Sequence, residues 1–589
     1  MRKRAKKLRI RMAARGKEFL KRVELKAPTL NGTNKTKVVR LIKDANRQLT
    51  NQKECSGPWP ANRVTAFDRT LGEIVRCLEK EAATDQSAFR IGGGFEMLER
   101  IFEIYFRGDS NPDLPAILPD RLLGNAASCF RFACAGNHDN CVYAVYSNRV
   151  MGLVDALLPQ ISKNEVGEAT KSNTPRAAPA SQSKKTTSSL PKVDNMFDPA
   201  SPSLLRALAV TLSMMAGNPP TEESVKPKSK SFTQMIPAPN NEHRKVLEVY
   251  LNRGLDVISY IVASRVLDVL GQYLSNVRHE VAPGSNLAAF VESGLKFLES
   301  ATSFVTMRNR LSADNHQHAS KHKSATNNNK TTSCEGDSAV NQWDNDPTQL
   351  LPTLQHTELM GIVSVLYGLL LHGAPERPTT LRSAAEDEQR ASIQPQTLNV
   401  ALAVMKVLNA VAEMDLRLLQ ASLGAEGVSL EYRHICTYLL WYCVQGEHTE
   451  LLHEVIVSVG HFTLDNRNNQ NIVDSGAQPT VLQQLCLLPF AYFSSAKPMR
   501  ILLPTLIACC HDNPSNLTIM EQEASASLLI NFIQTFLEES TEKQKTKKSD
   551  KKRNGILADL DRGTSLVDHP LFTTDYLNKS WTFFTDKQS

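Results

Sequence analysis

Aromatic residues are scarce in this chain, 6% of 589 positions, although hydrophobic residues make up 41%. The apolar share is therefore mostly aliphatic, which favours helices over aromatic-rich sheets. No stretch alternates apolar and polar residues convincingly, so little or no sheet is expected. The eleven cysteines follow no framework spacing. A chain this long buries enough surface without staples, and a reducing compartment is the natural reading. The longest apolar run, residues 359–371 (LMGIVSVLYGLLL), falls short of the roughly 20 residues of a spanning helix and reads as a core helix. No apolar core follows the basic start, so no signal peptide is expected.

Catalytic constellations are missing too. Cys509, Cys510, His511 and Asp512 include the types a thiol nucleophile needs, but neighbours on a helix point in different directions. Gly92, Gly93 and Gly94 are not followed by Lys-Ser/Thr and do not follow a strand, so they read as a turn between helices rather than a phosphate loop. Cys129, Cys134, His138 and Cys141 form the one cluster with metal-ligand chemistry. Their spacing matches no standard finger, and the apolar pattern around them reads as core cysteines plus a surface histidine. His316, His318 and His322 are a weaker group in a polar stretch. The expectation is a protein that is not an enzyme, with no metal, no cofactor and no small-molecule substrate.

Charge is present but unevenly placed. Residues 1–47 hold 17 Lys and Arg against 3 Asp and Glu, while the other 542 residues hold 51 against 58. An anionic partner is expected at that end. The opening segment places Leu8, Met12, Phe19 and Val23 on a narrow apolar stripe among basic residues. Arg2, Lys3, Arg4, Lys6, Lys7, Arg9, Arg11 and Arg15 are the candidate phosphate contacts, suited to ribosomal RNA through counterion release with little base specificity. The alternatives are a solvated helix tail or a nuclear-targeting run. Aromatic interleaving is absent, so base stacking is not indicated.

Polar, Ser/Thr/Lys/Pro-rich stretches break the chain into parts. The expected organisation is a basic helical segment (1–50), first armadillo-like repeats (51–162), a disordered linker (163–242) with a helix candidate at 204–215, and a helical repeat (243–309). A disordered insert (310–346), a helix (347–373), a disordered link (374–395) and C-terminal armadillo-like repeats (396–540) follow. A basic linker (541–555) and a helical tail (556–589) complete it.

Repetition shows within the last block. Asn466, Asn469 and Ile472 recur as Asn513, Asn516 and Ile519 at a 47-residue offset, and Leu482 and Leu485 as Leu529 and Phe532. That period lies at the upper end of the roughly 40–47 residues of armadillo and HEAT units. Gly476 and Pro479 read as punctuation: a left-handed helix end, then a proline in the next helix's first turn. Units of this kind are stable by stacking, so the fold expected is an all-α, armadillo/HEAT-like solenoid with disordered inserts. Asn466, Asn469, Asn513 and Asn516 stand at the start of equivalent helices. They suit gripping a partner's extended backbone from a groove, or capping.

The segments Leu451–Val457, Asn469–Gly476, Pro479–Gln483 and Leu488–Phe493, with Gly424–Gly427, Phe532–Gln534 and Asp68–Ile74, closely resemble the family of S phase cyclin A-associated proteins of the endoplasmic reticulum. The resemblance covers most patterned parts of the chain but only the C-terminal half of the family. An upstream hydrophobic segment and a C2H2 zinc finger are missing, so the chain is expected to be a fragment or a truncated form. The resemblance implies an adaptor at the cytosolic face of the endoplasmic reticulum that associates with cyclin A and its kinase. It also implies a link to ribosomes translating tubulin, bridging a nascent-chain reader to the deadenylase complex that shortens tubulin mRNA. Arg-x-Leu tripeptides, at Arg69, Arg76, Arg121, Arg206 and Arg417, are too frequent to mark a cyclin dock.

Overall fold

The computed structural model describes residues 3–24, 37–51, 58–108, 117–169, 200–220, 241–276, 285–323, 346–357, 361–373, 393–446, 448–549, 566–569 and 571–588. They form 25 α-helices and a 3-10 turn at Leu566–Asp568, with no strand among the described residues. The chain is all-α, as its aliphatic composition implies. It divides into two units, Met1–Tyr273 with Val281–Glu358, and Leu274–Glu280 with Leu359–Ser589.

In the first unit the helix Ala200–Gly217 packs against Asp120–Cys134 on one side and Asn286–Lys323 on another. It is apolar around most of its circumference, and burial on several faces is the arrangement such a helix requires. Phe89, Phe95 and Phe130 meet edge-to-face in the same unit, with centroids 5.4 and 5.3 Å apart. Gly93 turns the chain with φ +82°, and a side chain at Gly94 would collide with the Phe89 ring at 2.5 Å. The triple glycine is therefore a tight turn between Ala83–Ile91 and Gly94–Gly108. The helix–turn–helix rhythm at residues 142–158 and 258–274 is realised through single left-handed residues, Asn148 (φ 68°) and Arg265 (φ 70°).

In the second unit three long helices, Pro395–Met414, Thr449–Thr463 and Ala496–Cys510, lie side by side, each followed by a short one: Leu416–Leu423, Arg467–Asp474 and Pro514–Glu523. Ile362–Gly373, Val428–Gln445 and Val481–Cys486 belong to the same unit. Thr449–Thr463 is buried on every side from Leu451 onward, apart from a half-buried His453. Among the described residues Pro395–Met414, not the 359–371 run, is the helix long and apolar enough to cross a membrane by length and composition. Two-thirds of its apolar window is buried within the molecule, as in a core helix, and it carries a buried Asn409.

Several boundaries differ from the sequence reading, among them Val150–Ala169, which stays helical past 162. Asn286–Lys323 stays helical past 310, and Ala526–Ser549 past 541. Both are continuations of apolar-faced helices into polar sequence, which composition assigns to a loop. Pro479 stands before its helix rather than in the first turn. The N-cap is Thr480, in a reciprocal capping box with Gln483. Gly476 does take a left-handed conformation, φ +103°.

Candidate functional site

The recurring asparagines form a buried clamp. Asn466 caps Arg467–Asp474 by accepting from the Asn469 N–H, and Asn513 caps Pro514–Glu523 by accepting from the Asn516 N–H. The residues before them, Asp465 and Asp512, take left-handed φ values of 53° and 55°. Asn469 Nδ2 donates to the carbonyls of Gln420 (3.3 Å) and Phe462 (3.0 Å). Asn516 Nδ2 donates to those of Gln470 (3.0 Å) and Cys509 (2.9 Å). A glutamine completes each clamp: Gln420 Nε2 donates to the His461 and Leu464 carbonyls, and Gln470 Nε2 to those of Ala508 and His511. Carbonyls at the end of each long helix have no partner inside that helix, and these amides supply one while tying the helix to the short helix of the preceding block.

The first unit holds a third copy that the sequence reading missed. Asn137 caps the helix at Asn140. Asn140 Nδ2 donates to the Gln86 and Ala133 carbonyls, and Gln86 Nε2 to those of Phe132 and Ala135. Gly136, φ 65°, stands where the other copies have aspartate. Asn-x-x-Asn after a residue that tolerates left-handed backbone was the signal available. The capping reading therefore fits these asparagines. Asn469, Asn513 and Asn516 are buried, with their amides engaged internally, which leaves no accessible amide to grip a partner's backbone. Asn466 is half-buried and also reaches Gln420 Oε1.

The basic helix Lys3–Glu24 has two chemically different sides. Ala5, Leu8 and Met12 are buried, and Phe19 meets Tyr143 and Tyr146 edge-on. Val23, expected on the apolar stripe, is exposed. Arg9 pairs with Asp155 at 2.9 Å, and Arg11 and Arg15 both pair with Asp256. Burial raises the Asp155 carboxyl, while the Tyr260 hydroxyl and Arg9 act in the opposite direction. Arg4 donates to Gln349. Arg9, Arg11 and Arg15 thus help hold the helix in place, with side chains that remain 39%, 47% and 41% exposed. Lys3, Lys6 and Lys7 are exposed, as are Lys17 and Lys21 further along. Arg2 lies outside the described residues.

The cysteines are core residues. Cys129 Sγ donates to the Leu71 carbonyl and Cys141 Sγ to that of Cys134, while His138 Nε2 is 3.0 Å from the Tyr250 hydroxyl. Burial pushes the Cys129 and Cys134 thiols well up, away from the thiolate that zinc binds. Among the described residues no three His, Cys, Asp or Glu side chains are grouped to hold a metal. Cys509, raised to about 12 by burial, lies 3.5 Å from Thr463 Oγ1, and Cys510 is buried beside it. The side chains of His316, His318 and His322 lie outside the described residues.

These features define an all-α protein whose buried amides recur in one clamp geometry, binding helix ends to neighbouring helices. No family model matches the chain. The chain is a homologue of human S phase cyclin A-associated protein in the endoplasmic reticulum, 33% identical over 535 residues. The alignment covers 90% of this chain and 34% of that protein, so the chain spans about a third of its relative's length. The relative's name connects that protein with cyclin A and the endoplasmic reticulum.

Proposed function

We propose that the chain is a non-enzymatic adaptor, built as an armadillo- or HEAT-like solenoid that offers its stacked helices to protein partners. The observation that carries this reading is the clamp found three times with the same donors and the same helix-end carbonyls. Units held edge to edge in this way present a long surface, which suits scaffolding better than chemistry. The repeats occupy 51–162, 243–309 and 396–540, the second extended by its helix to Lys323.

The family resemblance supports a role at the cytosolic face of the endoplasmic reticulum, on ribosomes, in co-translational tubulin mRNA decay through a recruited deadenylase complex. In this reading Lys3, Lys6 and Lys7, with Lys17 and Lys21, meet ribosomal phosphates, while the arginines hold the helix down. Ribosome fractions from cells expressing tagged chain are expected to yield the deadenylase and the tubulin nascent-chain reader in one immunoprecipitate. Loss of tubulin mRNA shortening is expected when the chain is removed. If neither partner is recovered by a folded chain, the adaptor assignment fails. A cyclin A-binding scaffold that holds the cyclin and its kinase at the reticulum is the second reading, favoured by the relative's name. Recovery of cyclin A from nuclease-treated, ribosome-free extract would select it.

A further inference from the structure

The last described residues, 566–569 and 571–588, lie against the row of long helices in the second unit. Leu566 enters a seat floored by Gly460, where any side chain would come within 2.9 Å of Leu566 and 2.7 Å of Thr505. His569 follows, its ring 5.3 Å from that of His461. Its Nδ1 accepts from the Leu571 N–H at 3.2 Å, so its Nε2 carries the hydrogen, 3.4 Å from the Ala412 carbonyl. Phe572 packs on Tyr576, and the Tyr576 ring meets His511 edge-on at 4.8 Å. Leu566, His569, Phe572, Tyr576, Leu577 and Phe584 are all buried.

This segment meets three successive long helices through Ala412, Gly460, His461 and His511. It helps cover Thr449–Thr463, a helix buried on nearly every side. Sixteen residues, 550–565, join it to the helix Ala526–Ser549. Inside the segment the Trp581 indole N–H is buried without a hydrogen-bond partner, a cost the tail carries in its seat.

We propose that residues 566–588 are a ligand bound in cis, and that the face they cover is a docking site for a segment of a partner protein with the same chemistry and the same course, a 3-10 turn leading through a short loop into a helix. That segment presents a leucine, a neutral imidazole three residues on, and aromatic side chains three and seven residues beyond that. The tail competes with the partner from within the chain and so controls access to the site. The proposal goes beyond the adaptor reading and holds whichever macromolecules that adaptor joins.

The probe is a fluorescent peptide of residues 564–589. Its anisotropy is followed against the intact full chain and against a full chain whose own tail carries His569→Asp and Phe572→Ala. The peptide is expected to bind the variant chain about a hundredfold more tightly than the intact one, the advantage an intramolecular competitor holds. A peptide with the same two substitutions is expected to bind neither. Equal binding to both chains, or none to a variant chain with intact helical circular dichroism, overturns the proposal. If the variant fails to fold, an unsubstituted full chain with a protease site at 556–561 is cut instead. The freed tail must then exchange with the labelled peptide, and a tail that stays locked in place overturns the proposal equally.

Discussion

Asn516 donates through one amide nitrogen to two carbonyls on different helices, at 3.0 and 2.9 Å, in a position closed to water. Replacing it with alanine leaves the Cys509 carbonyl at its helix end unpaired and takes a second bond from the Gln470 carbonyl, a loss of about 2 kcal/mol. That corresponds to a fall of roughly 5 °C in the midpoint of a domain of this size. Asn516→Asp is expected to be worse, because a carboxylate oxygen would face the two carbonyls. Thermal melts of both variants check this, and an alanine variant that melts like the parent would show the clamp to be dispensable. His569 gives a pH dependence. Burial lowers its pKa from 6.5 to about 4, with the Ala412 carbonyl opposing. Above pH 6.5 the imidazole is neutral folded or unfolded, and its titration adds nothing. Between pH 6.5 and 4 the unfolded chain takes up a proton that the folded one refuses, so stability falls with pH. The loss reaches about 3 kcal/mol near pH 4. Denaturant titrations at pH 7 and 5 are expected to show a smaller decline for His569→Gln than for the parent.

The basic helix illustrates, at the next scale up, how far local sequence carries. Its helical period and apolar stripe are legible from spacing, as are the Asn466 and Asn513 caps and the 47-residue echo. The inward-facing arginines are not, because Asp155 and Asp256 lie far along the chain and no local pattern marks them. The third clamp was hidden for a related reason. Gly136 replaces aspartate, and its glutamine stands 54 residues before the asparagine, against 49 and 46 in the other two copies. Two sets of substitutions separate the helix's two sides. Arg11→Gln with Arg15→Gln removes two paired arginines, themselves 47% and 41% exposed, from a carboxylate whose side chain is only 8% exposed, a change of about 1–2 kcal/mol. Faster amide exchange over residues 3–24 is the expected sign that the helix has lifted. Lys3, Lys6 and Lys7 changed to glutamine should move the melting transition by less than about 0.5 kcal/mol. The slope of log affinity against log salt for ribosomal RNA should fall by about 2–3. An unchanged slope would remove the phosphate role from those lysines.

For the whole molecule, the division into two units has a consequence that can be measured. The clamps from Gln420 to Asn469 and from Gln470 to Asn516 lie entirely within residues 359–589. So do the contacts of Ile362–Gly373 with Val428–Gln445, where Ser364 meets Glu431 and Tyr367 stacks on His434. The tail that covers Thr449–Thr463 belongs to the same stretch. Every orphan helix-end carbonyl that a clamp amide satisfies in this unit is satisfied from within it, and the cover over Thr449–Thr463 comes from within it too. A polypeptide of residues 359–589 therefore contains the partners its buried groups need, and is expected to fold alone with a single cooperative urea transition. Its Asn516→Ala variant should lose the same free energy as the full chain does, because the broken bonds have no partner elsewhere. Ending that polypeptide at 549 removes Leu566, His569 and Tyr576 together and bares Gly460 and His461. The shortened form is expected to bind a dye that reports exposed apolar surface and to recover on addition of the 564–589 peptide. A broad, non-cooperative transition for 359–589 itself would show that its stability depends on residues outside it.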